Sequence, residues 1–97
     1  MSGRRSRLEI LLNILSAVRE GMEKPTRIMY AANLSWRPTQ RILSNLMEQG
    51  LVEMRIAPGA SKRRYMITER GVGMLDYFEK AKEMLPEDIY IAQAISG

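Results

Sequence analysis

The stretch TRIMYAANLSWRPTQRILSNLMEQGLVEMRI, residues 26–56, decides the fold. Its pattern of apolar residues and turn-forming residues predicts a short helix, a tight turn, a second helix from about Pro38 to Gln49, and then a strand. The second helix has an apolar stripe that would face a core, formed by Ile42, Leu43, Leu46 and Met47.

Both ends of the second helix carry recognisable signals. Ser35 is a plausible N-cap, and Pro38 falls in the first turn, where its missing N–H costs nothing. Gly50 followed by Leu51 is typical of a Schellman stop. Two helices around such a turn are the parts of a helix-turn-helix, although a helical hairpin in any small domain would show the same apolar spacing.

We predict that the polar side of the second helix contacts the major groove of DNA. Arginine and glutamine have the forked geometry that pairs with guanine and adenine edges. The side chains expected at bases or nearby phosphates are Arg37, Gln40, Arg41 and Ser44, with Thr39 and Asn45 beside them. Arg27, in the preceding helix, is expected at a phosphate. Trp36 is expected to pack at the helix entry; the alternative is an exposed position beside the DNA backbone.

A basic β-hairpin is predicted after the helix-turn-helix. Residues 51–56 alternate apolar and polar as a strand does, residues 57–60 form a turn, and a second strand runs to Thr68. Three consecutive cations at this loop would lie against phosphates, namely Lys62, Arg63 and Arg64. The alternative is a solvated loop whose charges prevent edge pairing.

The chain before this region is predicted to be a basic arm, residues 1–7, and a long helix from Leu8 to about Arg19. Arg4, Arg5 and Arg7 would add phosphate contacts. Ser6 and Glu9 have the spacing of a capping box. Apolar residues cover so much of the circumference of this helix that it is either sandwiched between other elements or buried against a partner.

The chain after the hairpin is predicted to be a last helix, residues 69–85, followed by a tail, residues 86–97. Thr68 is its expected N-cap and Pro86 interrupts it. The apolar tail would dock on the body of the protein or on a second subunit. A candidate homodimer interface is formed by Phe78, Leu85, Ile89, Ile91 and Ile95. Residues 1–97 are expected to form a single domain.

Composition excludes several classes of function. The 97 residues are 45% hydrophobic and 27% charged, which fits a globular protein with a small core. Without cysteine or histidine, thiol chemistry, an imidazole base and ordinary zinc sites are not available. We therefore expect no enzyme activity, metal, cofactor or small-molecule substrate. No apolar run has the length of a membrane span, so a cytoplasmic, nucleoid-associated protein is expected.

The positive charge is concentrated in one part of the chain. The net charge is +4, but residues 1–64 carry 12 Lys/Arg against 5 Asp/Glu, whereas residues 65–97 carry 3 against 6. A basic front and an acidic back indicate a surface that faces a polyanion. The alternative is the arginine-rich surface of a heat-adapted protein, in which the cations are ion-pair partners.

The order of helix, helix, helix, strand, basic loop, strand and helix is that of a winged helix, an α+β fold that is mostly α-helical. The segments RLEILLNILSAVREG, KPTRIMYAANLSW, LMEQGLVE and YMITERG resemble archaeal winged-helix DNA-binding proteins of the Sulfolobus 10a type and related winged-helix transcriptional regulators. The resemblance covers roughly residues 6–85. It implies binding of double-stranded DNA and dimerisation through the C-terminal helix, which Pro86 ends early here.

The expected function is therefore double-stranded DNA binding, as a transcriptional regulator or a chromatin-type protein. A winged helix used for protein–protein contact in the transcription machinery is the alternative, and it would need an exposed apolar patch. An enzyme is disfavoured because no nucleophile motif or phosphate-binding glycine loop is present. RNA binding is disfavoured because no aromatic-rich strand is present on which bases would stack.

Overall fold

A computed structural model describes residues 6–56, 58–59 and 62–84 of the chain. The elements in order are α1 (Arg7–Arg19), α2 (Pro25–Ala32), α3 (Trp36–Glu48), β1 (Val52–Ile56), β2 (Arg63–Ile67) and α4 (Glu69–Met84). Four helices and a two-stranded antiparallel sheet confirm the predicted fold class, which is α+β and mostly helical. The predictions for Arg4, Arg5, Leu85 and the tail, including Ile89, Ile91 and Ile95, lie outside the described residues.

Helix α1 lies at the centre of the fold. It packs against α2, β2 and α4, and its Ile14 and Leu15 side chains are 0% and 2% exposed. The apolar girth of α1 is thus explained by its sandwiched position, one of the two alternatives predicted for it. The core continues through Ile28 of α2, Leu43 of α3 and Leu75 of α4.

The helix ends follow the local signals in the sequence. At the start of α1, the Glu9 N–H donates to Ser6 Oγ at 3.1 Å and the Ser6 N–H donates to Glu9 Oε1 at 3.1 Å, which confirms the capping box. Helix α2 ends at Asn33, which has a left-handed φ of 56°. These helix ends are therefore set by residues that are close together in the sequence, without tertiary contacts.

Helix α3 begins two residues before the predicted Pro38 and ends one residue before the predicted Gln49, which is its C-cap. Ser35 is its N-cap by backbone conformation, but its hydroxyl makes no capping hydrogen bond. At the other end, Gly50 has a φ of 74° and the Leu51 N–H donates to the Leu46 carbonyl oxygen at 2.9 Å. This is the Schellman stop that the Gly50-Leu51 pair predicted, and it directs the chain from α3 into β1.

The wing is the β1–β2 hairpin, and it is fastened to the loop between α1 and α2. In the antiparallel register Met54 pairs with Tyr65, and Arg55 pairs with Arg64. On the outer edge of β2, the Tyr65 N–H donates to the Glu23 carbonyl oxygen at 2.8 Å. The hairpin therefore has hydrogen-bonding partners on both sides of β2, which holds it beside the helix-turn-helix.

Candidate nucleic-acid interface

Helix α3 separates its residues cleanly into a buried face and an exposed face. Thr39, Leu43 and Leu46 are buried at helical spacing. The exposed side chains along the opposite side are Arg37, Arg41, Ser44, Asn45 and Glu48. Gln40 is half-buried at the edge of that side. The structure thus places five of the six polar residues predicted on this helix along one surface.

The prediction that Thr39 lies beside the DNA-contacting face is wrong. Its side chain is 0% exposed, and its hydroxyl donates to the Ser35 carbonyl oxygen at 2.9 Å. Thr39 is one helical turn before Leu43, so both side chains point into the core. The hydroxyl is satisfied by the backbone of its own helix and has no free donor to offer a ligand.

A basic groove, which we call the wing groove, lies on one side of α3. It has a volume of about 650 Å³ and is lined by Lys24, Pro25, Thr26, Trp36, Gln40, Lys62 and Arg63. These residues come from the start of α2, the first half of α3 and the wing. Three of them are cations and none is an acid. A cleft with charges of one sign concentrates the field and attracts a polyanion.

The predicted packing of Trp36 is contradicted by the structure. Its side chain is 43% exposed and lines the wing groove. The residue is the first in α3, and it is not among the residues that α3 buries in the core. The alternative that left Trp36 exposed agrees with this position.

A second groove, the α1 groove, lies on the other side of α3. It has a volume of about 540 Å³ and is lined by Arg7, Ile10, Leu11, Pro38, Arg41, Ile42 and Asn45. Arg7, which was predicted as part of a basic arm, is the first residue of α1 and shares this groove with Arg41. Cations therefore flank the exposed face of α3 on both sides.

The cations beside α3 form no ion pair with a carboxylate of the described residues. This holds for four exposed cations on this surface, Arg37, Arg41, Lys62 and Arg63. Elsewhere Arg19 pairs with Asp76 at 2.7 Å, which fastens α1 to α4. The positive charge on the α3 and wing surface thus remains available for an external anion.

Arg64 differs from its two neighbours in the wing. Its guanidinium donates to Glu23 Oε1 at 3.1 Å, and it lies across from Arg55 in the hairpin. Successive strand residues point to opposite faces, so Arg63 and Arg64 cannot both face the wing groove. The structure thus divides the three predicted wing cations into two that line the groove and one that holds the hairpin to the α1–α2 loop.

Comparisons with known proteins agree with this architecture. The sequence profile of the winged helix-turn-helix family matches residues 4–86. The chain belongs to the winged helix-turn-helix family. This membership confirms the fold predicted from the order of the elements.

One relative and two solved structures are similar to this chain. An uncharacterised protein of Methanocaldococcus jannaschii is 35% identical over 68 residues, covering 70% of this chain and 64% of the relative. Sso10a-2, a DNA-binding protein from Sulfolobus solfataricus, superposes with a TM-score of 0.68 at 25% identity, covering 92% of this chain and 90% of that protein. A MarR family transcriptional regulator from Silicibacter pomeroyi has a TM-score of 0.68 at 18% identity, covering 90% of this chain and 56% of the regulator.

The similarity to Sso10a-2 confirms the resemblance drawn from the sequence. The likeness to the MarR family protein is a likeness of fold. The chain spans less than two thirds of the length of its relative from M. jannaschii. Each helix in the described ranges is too short or too polar to cross a lipid bilayer.

Arg27 does not join the basic surface of this winged helix. Its helix buries Ile28 and Ala32, which turns Arg27, Tyr30 and Ala31 outward. Arg27 lies against Met22 in a shallow depression that is separate from both grooves beside α3. A phosphate contact by Arg27 would therefore need DNA to extend beyond the α3 and wing surface.

Helix α4 carries an exposed apolar stripe that the sequence reasoning missed. Met74, Tyr77 and Met84 are 37%, 68% and 77% exposed, and they lie on one side of the helix with Ala81 between them. Phe78, one of the five predicted dimer contacts, is half-buried and packs against the core. The spacing of residues 74, 77, 81 and 84 is that of the a and d positions of a heptad, which was the available signal.

Proposed function

We propose that this winged helix binds double-stranded DNA and acts by binding, without catalysis. Helix α3 enters the major groove, and Lys62 and Arg63 of the wing contact the adjacent backbone. The proposed function is that of a transcriptional regulator, or of a nucleoid-associated protein if the binding is independent of sequence. Residues 1–97 act as one DNA-binding unit in this proposal.

The single observation that carries the proposal is a set of cations along one surface of the winged helix that form no ion pair with the part of the chain that the structure describes. Arg37 and Arg41 are exposed on α3, and the cation-lined wing groove and α1 groove lie on either side. Helix α3 has 13 residues and is therefore about 20 Å long. The major groove is about 12 Å wide and admits one helix, which places both flanking grooves next to phosphates.

Roles within the surface follow from position. Arg37, Gln40, Arg41 and Ser44 face the base edges, and Asn45 lies at the border of the α1 groove. Arg7 is placed to contact a phosphate there. Gln40 and Arg37 have the side-chain geometry that reads adenine and guanine, so they are the proposed source of any sequence preference.

The experiment that tests this function is a fluorescence-anisotropy titration with a labelled random duplex and a duplex pool at several salt concentrations. If about five cations contact phosphates, the affinity should fall roughly a hundredfold or more between about 50 and 200 mM salt. A preferred subset of the pool indicates a regulator, and uniform binding indicates a chromatin-type protein. Absence of binding at low salt would contradict the proposal and favour a protein partner.

We also propose that two copies of the chain associate through α4. The stripe of Met74, Tyr77 and Met84 is apolar, continuous along the helix and exposed. Large exposed apolar patches with helical spacing are typical of interfaces, and a second α4 presents the matching surface. A dimer would set two α3 helices at a fixed spacing on DNA.

Truncation of the stripe should weaken the dimer. We expect Met74→Ala/Tyr77→Ala to raise the dimer dissociation constant at least about tenfold, since buried aromatic residues dominate interface energetics. Glu83→Ala, on the acidic side of α4, is the matched control and should leave association unchanged. Light scattering coupled to size exclusion measures the result. A wild-type chain that stays monomeric at high concentration would refute the α4 interface.

A further inference from the structure

Trp36 occupies an unusual place in the wing groove. It is the only tryptophan of the chain, and it is 43% exposed and lines the groove instead of packing with the core. Leaving so much of an indole in water forgoes a large hydrophobic gain. An indole also contributes nothing to the electrostatic attraction between a cation-lined groove and phosphates. A ligand that fits this position therefore has an apolar, planar part as well as negative charge.

The residues around Trp36 supply the other contacts that such a ligand would need. Lys24, Lys62 and Arg63 are cations, and no acid is among the described residues that line the groove. Gln40 lies one helical turn after Trp36 and carries an amide with both donors and an acceptor. The groove volume of about 650 Å³ falls within the range of pockets that hold small organic molecules.

We propose that the wing groove binds an unpaired nucleotide of a DNA strand, such as one in a gap or at a frayed end. The base stacks on the Trp36 indole, and Lys62 and Arg63 hold the flanking phosphates. Gln40 offers hydrogen bonds to the exposed edge of the base. This inference rests on the proposed DNA binding and adds a preference for DNA that is locally single-stranded.

The chemistry favours an unpaired nucleotide over a paired one. In a duplex both faces of each base are covered by its neighbours, so an indole beside the helix reaches only sugars and groove edges. An unpaired base exposes its π-face, and stacking on an aromatic side chain tolerates any base. Proteins that bind single strands combine such aromatic platforms with a basic groove along the backbone. The wing groove contains both parts.

The test uses the fluorescence of the single tryptophan, which reports stacking directly. The wild-type chain is titrated with a blunt duplex, with the same duplex carrying a short single-stranded gap, and with a free deoxynucleoside monophosphate. The gapped duplex should quench the indole emission and bind about tenfold more tightly than the blunt duplex. Quenching by the monophosphate alone, without a preference for the gapped duplex, would overturn the proposal in favour of a small nucleotide ligand.

Two variants separate stacking from charge. Trp36→Leu should lose the preference for the gapped duplex over the blunt duplex, and Trp36→Phe should retain most of that preference because it keeps an aromatic face. Anisotropy measures both. Equal affinities of the wild type for gapped and blunt duplexes would overturn this inference alone. Failure to bind either duplex would overturn the proposed DNA-binding function itself.

Discussion

Replacing Arg37 and Arg41 together by alanine should lower the affinity for double-stranded DNA about a hundredfold or more. Each arginine that contacts a base edge or a phosphate contributes about 1–3 kcal/mol, and every 1.4 kcal/mol is a factor of about ten in affinity. Both side chains are exposed on α3 and neither is held by a neighbouring carboxylate in the described ranges. The fold should be unaffected, because neither side chain contributes to the core.

The salt dependence of DNA binding distinguishes arginine contacts to phosphates from arginine contacts to base edges. Arginines at phosphates release counterions, so their loss should reduce the slope of log affinity against log salt by about one per contact. Arginines at base edges leave that slope nearly unchanged and relax the sequence preference instead. Measuring anisotropy at several salt concentrations for Arg37→Ala and Arg41→Ala separately would therefore assign a role to each.

A charge-matched control is provided by α4. Lys80→Ala/Lys82→Ala removes the same charge from a helix on which the acidic residues are concentrated, and it should change DNA affinity only a few-fold. Circular dichroism checks that all variants are folded. If the α3 pair and the α4 pair weaken binding equally, the attraction is a general effect of net charge, and the assignment of α3 to the major groove is wrong.

The features that the sequence predicted well are local ones. The capping box at Ser6 and the Schellman stop at Gly50 each involve residues that are close together in the chain, so their geometry follows from the sequence alone. The apolar periodicity of α3 likewise predicted the face that bears Arg37 and Arg41.

The wrong prediction for Thr39 could have been avoided, because a local pattern in the sequence indicates its burial. Thr39 precedes Leu43 by one helical turn, so the same periodicity that placed Leu43 in the core should have placed Thr39 there. That periodicity was given less weight than the polar character of the threonine side chain.

Other features depend on tertiary packing and leave no local signal. The exposure of Trp36 depends on how far the core extends beneath the start of α3. The ion pair of Arg64 depends on the approach of Glu23, 41 positions away in the chain. The sequence contains no pattern that specifies such distances, so these contacts could only be found in the structure.

Gly71 and Gly73, near the start of α4, also differ in a way that depends on tertiary packing. Substituting them leads to the largest expected change in stability. Both look like residues that weaken a helix. In the structure, a Cβ added to Gly71 would collide with the carbonyl oxygen of Leu51 and would lie 2.7 Å from Ile67 Cγ1, whereas nothing lies within 4 Å of a Cβ added to Gly73. Gly71 is required because the backbone at Leu51 comes close to it, whereas Gly73 is not required.

The backbone around the Leu51 carbonyl is held in place by hydrogen bonds, so it cannot easily move away from Gly71. The Thr68 N–H donates to the Leu51 carbonyl oxygen at 3.1 Å, and the Thr68 hydroxyl accepts from the Gly71 N–H at 3.0 Å and donates to the Gly50 carbonyl oxygen at 2.7 Å. These bonds join the end of α3, the start of β1 and the start of α4. Shifting the Leu51 carbonyl to admit a methyl group would therefore disturb hydrogen bonds at all three elements.

We expect Gly71→Ala to lower the free energy of unfolding by about 2–3 kcal/mol or more, because overpacking against backbone cannot be relieved by a rotamer change. Gly73→Ala should raise it by about 0.5–1 kcal/mol, since alanine favours the helix and the site is open. Urea unfolding measures both. A small domain has a total stability of about 5–15 kcal/mol, so the first change removes a large share of it. Equal stabilities for the two variants would contradict the close approach of α4 to the Leu51 carbonyl oxygen.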